Sequence, residues 1–271
     1  MIRLVALDLD GTLISASLRV SERVKSAIAK ARSAGVNFTM VTGRMFAAAK
    51  PFAEAIGIEG PIVCYQGAAT YVVATGERLF HYPLPRPVTE EVLATASGDG
   101  VRALGYYEDA LYADGIDAYT KEYTDLARVE PHVVESLQDF FRDRPSTKVV
   151  CVTDIRGAEA YVDRLKKMLG GRAYVTRSQP QFVEVIDRGI DKGRALAAIA
   201  ELYGVRTDET MAIGDSWNDV PLLAAAGFSV AMGTAPQELL DKADAVVAGV
   251  ERDGVAEAVD RFVLGAEEAR R

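Results

Sequence analysis

The chain has 271 residues, 49% hydrophobic and 26% charged, an ordinary balance for a soluble globular protein of one large or two modest domains. A net charge of -8 and a pI near 5.0 argue against a nucleic-acid surface, which needs a basic stripe to displace phosphate counterions. No stretch reaches the ~18 apolar residues that cross a bilayer. The two cysteines, Cys64 and Cys151, lie in apolar runs and point to a reducing compartment, not a disulfide framework. With no secretory signal pattern at the N-terminus, the expectation is a cytoplasmic protein with neither a nucleic-acid nor a membrane partner, and a monomer or small homo-oligomer.

The first third alternates strand and helix. Ile2 to Leu7 is a short apolar strand, followed by a helix that Ser21 can cap and Gly35 can end, with Val24, Ala27, Ile28 and Ala31 on one face. A strand over Asn37 to Val41, a helix near Phe46 to Ile56 and a strand over Pro61 to Tyr65 complete a β-α-β-α-β order. That order favours a parallel sheet with right-handed crossovers. Thr70 to Val73 and Arg78 to Tyr82 flank a turn and predict a hairpin.

Pro83, Pro85 and Pro87 form a stiff junction, after which the rhythm changes. Helices are expected near 89–97, 134–141 and 157–169, with strands near 102–107, 111–113, 148–152, 173–176 and 182–186. Neighbouring strands without helical crossovers predict an α+β unit with antiparallel pairing. From Gly189 the alternation resumes: helix 191–203, strand 211–213, helix 219–226, strand 229–232 and an amphipathic helix 255–263. The expected fold is therefore α/β, a Rossmann-like parallel-sheet core (1–82 and 189–271) carrying an inserted α+β cap (83–188).

Four segments carry candidate chemistry. Asp8-Leu9-Asp10-Gly11-Thr12 sits at the end of the first buried strand, where open α/β sheets bind ligands. Its two carboxylates suit a shared metal or a nucleophile beside an acid, although Asp10-Gly11 also reads as a plain turn. Thr42-Gly43-Arg44 follows the second strand, as a phosphate cradle or simply a helix cap. Asp191-Lys192-Gly193 puts a lysine at a helix start, where the dipole disfavours cations. Gly214-Asp215-Ser216-Trp217-Asn218-Asp219 adds two carboxylates and an amide at another strand end; alone it reads equally as a helix cap. Together they supply a nucleophile, an acid/base, metal carboxylates, phosphate donors and a cation, the inventory that phosphoryl transfer requires.

In this order the segments resemble the four motifs of the haloacid dehalogenase superfamily. The insert between the second and third resembles the type-IIB cap of the Cof-like sugar-phosphate phosphatases. Gln179 to Val185 running into Gly189-Ile190-Asp191-Lys192-Gly193, with Val230 to Gly233 and Asp253 to Ala256, extends the resemblance over nearly the whole chain. The resemblance implies that Asp8 attacks phosphorus while Asp10 acts as general acid and base. It implies Mg²⁺ held by Asp8, the Asp10 carbonyl and Asp215 with Asp219 in support, and phosphoryl oxygens bound by Thr42, Gly43, Lys192 and Asn218. The implied substrate is a small phosphorylated metabolite such as a sugar phosphate.

Two departures stand out: Gln66-Gly67-Ala68 replaces the usual Asn-Gly-Ala, and Thr234 stands where an asparagine is frequent. Gln66, Gly67 and Arg44 are expected to face the leaving group. Phosphomutase or phosphotransferase activity on the same core, and a non-catalytic phospho-acceptor module, are the alternative readings. His81 and His132 lack ligand spacing, Trp217 is expected to pack as core beside the metal loop, and the tyrosines at 106, 107, 112, 119 and 123 are expected to pack the cap.

Overall fold

A computed structural model of the protein describes residues 1–265. The core begins with β1 (Leu4–Leu7), α1 (Glu22–Ser33), β2 (Asn37–Met40) and α2 (Phe46–Ala55), then β3 (Pro61–Cys64), β4 (Ala69–Val72) and β5 (Arg78–His81). The middle of the chain forms α3 (Arg86–Gly98), β6 (Arg102–Tyr107), β7 (Ala110–Ala113), α4 (Ala118–Ala127) and β8 (Pro131–Val133). It continues through α5 (Leu137–Phe141), β9 (Lys148–Val152), α6 (Ala158–Leu169), β10 (Ala173–Gln179) and β11 (Phe182–Asp187). The chain then returns as α7 (Lys192–Leu202), β12 (Thr210–Gly214), α8 (Val220–Ala225), β13 (Phe228–Met232), α9 (Gln237–Leu240), β14 (Ala245–Val247) and α10 (Gly254–Ala258).

The central sheet has the order β14-β13-β12-β1-β2, and every pair is parallel. Helices cover both of its faces, so strands such as β1 and β12 are buried throughout and read as continuous apolar runs. Ser21 caps α1 by accepting the Val24 amide at 3.1 Å, and Val24, Ala27, Ile28 and Ala31 are buried, as their spacing predicts. The third strand departs from expectation. β3 meets the parallel sheet through an isolated bridge from Val63 to Val41 and a bond from the Thr39 hydroxyl to the Pro61 carbonyl, and instead pairs antiparallel with β4, which pairs with β5.

The insert builds its own sheet, β10-β11-β9-β6-β7-β8, antiparallel except between β7 and β8. The two-residue period of a strand divides its side chains. Val149, Cys151, Val183 and Val185 pack under α3, α5 and α6, whereas Leu104, Val150, Val152, Phe182 and Ile186 join the hydrophobic core of the central sheet. Lys148, Tyr106 and Glu184 share that second, core-facing parity.

Sequence reading missed α4, β8, α9 and β14. Helix α4 holds two tyrosines and two threonines, poor helix formers, and depends on Asp117 accepting the Thr120 amide at 2.8 Å. The helix expected over 134–141 shrinks to α5, because Ser136 caps it and the Val134 amide bonds to Ala113 beside β7. Among the described residues no helix is long and apolar enough to cross a membrane.

Candidate active site

The carboxyl ends of β1 and β12 bring the first and fourth motifs together. Asp8 extends β1, its amide bonding to Ile213 O at 2.9 Å, and its side chain is buried. The chain then turns at Gly11 with φ 87°, where a Cβ would lie 2.2 Å from the Asp215 carboxylate, so both conformation and space require glycine. Thr12 Oγ1 donates to Asp215 Oδ1 at 2.8 Å and holds that carboxylate against the turn. Asp219 secures the opposite loop, its Oδ2 accepting the amides of Asp215 and Ser216 at 3.0 Å each.

Lys192, the first residue of α7, explains its own anomaly. It is 1% exposed, with Nζ 2.5 Å from Asp8 Oδ1 and 2.7 Å from Asp219 Oδ1. Burial opposes its charge, but Asp219 and Asp8 outweigh that cost and raise its pKa. Asp8 is itself pushed well above the carboxylate range by burial and by Asp219, against the pull of Lys192. Burial and the Asp219 charge push Asp215 up to about 7.

Carboxylate oxygens of Asp8, Asp215 and Asp219 lie within 4.8 Å of one another. Three acids against one lysine leave an excess of negative charge, and the donors are hard oxygens. The residues present therefore fit a divalent cation.

The second motif sits differently from its helix-terminus reading. Thr42, Gly43 and Arg44 precede α2, and the helix N-terminus is occupied by Asp109 from the β6–β7 turn. Thr42 is buried with Oγ1 accepting the Arg44 amide at 3.1 Å. Arg44 grips Asp10 with two bonds, Nε to Oδ2 at 2.8 Å and Nη2 to Oδ1 at 2.6 Å. Its Nη1 also reaches the Ala127 carbonyl at the end of α4, at 3.4 Å.

A cleft of about 690 Å³, open mouth included, separates core from cap. Asp8, Asp10, Thr42, Gly43, Arg44 and Asn218 line its core side, and Tyr106, Tyr123, Phe182, Lys148 and Glu184 line its cap side. Gln66 and Gly67 lie behind this wall rather than on it. Gln66 is 1% exposed and bonded to Glu184 and Asn218, while Gly67, with φ 114°, packs against the Asp191 carbonyl.

Trp217 is half-buried rather than core, with the Arg177 guanidinium 4.6 Å above its ring. His81 bonds to Thr147 at 2.9 Å, and exposed His132 stacks on Tyr112. Sequence reading gave no role to Lys148, Glu184 or Asp109. A strand parity shared with apolar residues was the only local sign for the first two.

This fold, with acids and a buried lysine converging at strand ends beneath a second sheet, defines an enzyme of the hydrolase class. The model of the haloacid dehalogenase-like hydrolases matches residues 5–259, and the chain belongs to that family. It is similar to the phosphoglycolate phosphatase of Methanothermobacter thermautotrophicus, 28% identical over 261 residues, covering 96% of this chain and 99% of that protein. A haloacid dehalogenase-like hydrolase from Bacteroides thetaiotaomicron is 28% identical, with a TM-score of 0.84 over 97% of this chain and 100% of that one. The subclass IIB sugar phosphatase BT4131 shares the fold, with 22% identity and a TM-score of 0.86 over 96% of this chain and 98% of that one.

Proposed function

We propose that this hydrolase is a Mg²⁺-dependent phosphatase of small phosphomonoesters, with sugar phosphates the first class to test. The observation that carries the reading is Lys192 seated between Asp8 and Asp219, with Asp215 beside them, where Asp8 meets a cleft roofed by a second sheet. Phosphoryl transfer depends on charge stabilisation and alignment, and this site concentrates both.

In this reading a carboxylate oxygen of Asp8 attacks phosphorus, the ester P–O bond breaks, and the leaving oxygen takes a proton from Asp10. Asp10, now a carboxylate, takes a proton from water, whose oxygen attacks the same phosphorus. The Asp8–phosphorus bond then breaks, returning the free carboxylate and inorganic phosphate. Lys192, Thr42, Gly43 and Asn218 hold the phosphoryl oxygens. Mg²⁺ would be held by Asp8, Asp215 and the Asp10 carbonyl with Asp219 behind them, and when bound supplies Lewis-acid neutralisation of phosphoryl charge. Both Asp10 oxygens accept bonds from Arg44, so Asp10 gives a proton from a lone-pair position that the fork leaves free.

The same reading divides the chain into a core of 1–82 and 189–271 and a cap of 83–188, which excludes bulk water and selects the leaving group. The separate cap sheet and its own hydrophobic cluster support the division; residues beyond 265 lie outside the described structure. The test is phosphate release from a panel of sugar and nucleotide phosphates with Mg²⁺, using Asp8→Asn as the blank. Release by the wild type alone supports the reading. A rearranged sugar phosphate in place of inorganic phosphate assigns a phosphomutase, and no turnover of any phosphoester removes the proposal.

A further inference from the structure

A chain of buried polar side chains links the cap to the phosphoryl end of the cleft, and the steps above use only its last member, Asn218. Glu184 on β11 is 2% exposed and turns every acceptor inward. Its Oε1 takes the Ser178 hydroxyl at 2.7 Å and lies 3.2 Å from Lys148 Nζ, while Oε2 takes Gln66 Nε2 at 2.8 Å. A carboxylate beside a lysine only accepts, so Gln66 must present its NH₂ group to Glu184. Gln66 Oε1 is thereby turned toward Asn218, whose Nδ2 donates to it at 3.0 Å. An amide's two ends are otherwise interchangeable in shape; here one unambiguous acceptor sets two amides in series.

Three further observations show that this geometry is held firmly. Tyr65 and Gln66 both adopt left-handed backbone, with φ 54° and 62°, where non-glycine residues rarely sit. Their amides are tied to the Arg44 and Thr42 carbonyls at 3.0 Å each, joining the strained turn to the second motif. Gly43 leaves the space that Gln66 fills, because a Cβ there would stand 2.3 Å from Gln66 Nε2. Asn218, in contrast, has a buried Oδ1 without a partner among the described residues, and Gln66 is the side-chain contact that its Nδ2 makes. A second cap-to-core bond runs in parallel, from Lys148 Nζ to the Gly43 carbonyl at 2.7 Å.

We propose that Gln66 and Glu184 are positioning residues for the phosphoryl pocket. Glu184 in the cap sets the polarity of Gln66, and Gln66 aligns Asn218 when the cap sheet is seated on the core. The pocket is then complete only under a closed roof, which couples enclosure of the substrate to its alignment. The proposal rests on the reading of Asn218 as a phosphoryl-binding group.

The experiment is a double-mutant cycle on the full-length enzyme with Mg²⁺, measuring kcat and KM for p-nitrophenyl phosphate and for one sugar phosphate. Gln66→Ala and Glu184→Ala should each lower kcat about tenfold on both substrates, the loss expected from one misaligned hydrogen bond. In an Asn218→Ala background neither should cause any further loss, since both act through that side chain. Glu184→Gln keeps the shape but no longer imposes a polarity, and should lose less kcat than Glu184→Ala; its melting temperature should fall, because buried Lys148 loses its counter-charge. Losses that multiply in full in the Asn218→Ala background, or that fall on KM for one leaving group alone, overturn the proposal. A wild type that releases phosphate from neither substrate overturns instead the phosphatase reading beneath it.

Discussion

Asp109, in the turn between two cap strands, caps the helix that Phe46 begins in the core. Its Oδ1 accepts the Phe46 amide at 2.8 Å, and its Oδ2 accepts the Ala47 amide at 2.9 Å. Tyr65 Oη donates to the same Oδ1 at 2.7 Å. The helix has no side-chain cap of its own, so the cap domain satisfies core backbone groups that would otherwise need water. Asp109→Ala should cost about 1 kcal/mol, the usual worth of an N-cap. Proteolysis in the segment between β5 and α3, residues 82–85, should quicken as the roof is released. Asp109→Asn, which keeps one acceptor, should lie between the two. Unchanged cleavage in Asp109→Ala would show that this contact does not hold the cap down.

Gly43 is the cheapest way to disturb the buried amide chain from the core side. Gly43→Ala places a methyl group 2.3 Å from Gln66 Nε2, and should displace that side chain at a cost of about 1–3 kcal/mol of packing strain. Its kcat should fall about as far as that of Gln66→Ala, with the two losses failing to add. Kinetics on the two single variants and the double variant check this.

Lys192 is the cation paired directly with Asp8 and Asp219, both buried. Lys192→Met keeps the volume and leaves the acids unpaired, which should cost about 3–5 kcal/mol in a denaturant titration. Near-native stability would mean that the lysine contributes little to the fold.

The acidic cluster also sets a pH dependence. Asp215 has a folded pKa raised to about 7 from the ordinary 3.8. Between those values the folded, metal-free protein holds a proton that the unfolded chain has lost. Metal-free stability therefore falls as pH rises through that window. A bound divalent cation offsets the charge, so Mg²⁺ should raise the melting temperature more at about pH 8 than at about pH 5.5. Asp215→Asn should abolish most of the difference; a melting curve indifferent to Mg²⁺ at both values would remove the cation from this site.

Asp10→Asn should lower the rate by roughly 10²–10⁴ if Asp10 is the acid and base. Arg44→Ala frees Asp10 from its fork and should change kcat, whereas an unaltered kcat would separate Arg44 from the proton transfer.

The four chemical segments were legible because each stands at a strand end or helix start, where sequence punctuation is strongest. The lysine at the start of α7 was an anomaly in sequence, and became intelligible once two carboxylates from distant segments were seen around it. The cap side of the cleft was not legible. Lys148 and Glu184 lie in strands buried on both faces, and no local pattern says which parity meets the core. Asp109 belongs to a turn whose only sequence mark is Glu-Asp, and its partners lie 44 to 63 residues away. The third strand misled for a related reason. Its apolar run fits either sheet, and the hairpin that follows drew it into antiparallel pairing.

The most direct test of the account is to trap the enzyme during turnover of a phosphomonoester with Mg²⁺, quench in acid and reduce with borohydride. Mass spectrometry then locates any acyl phosphate converted to an alcohol. Reduction at Asp8, dependent on substrate and lost in Asp8→Asn, is the predicted result. Full-rate phosphate release by Asp8→Asn, or trapping at another side chain, would contradict it.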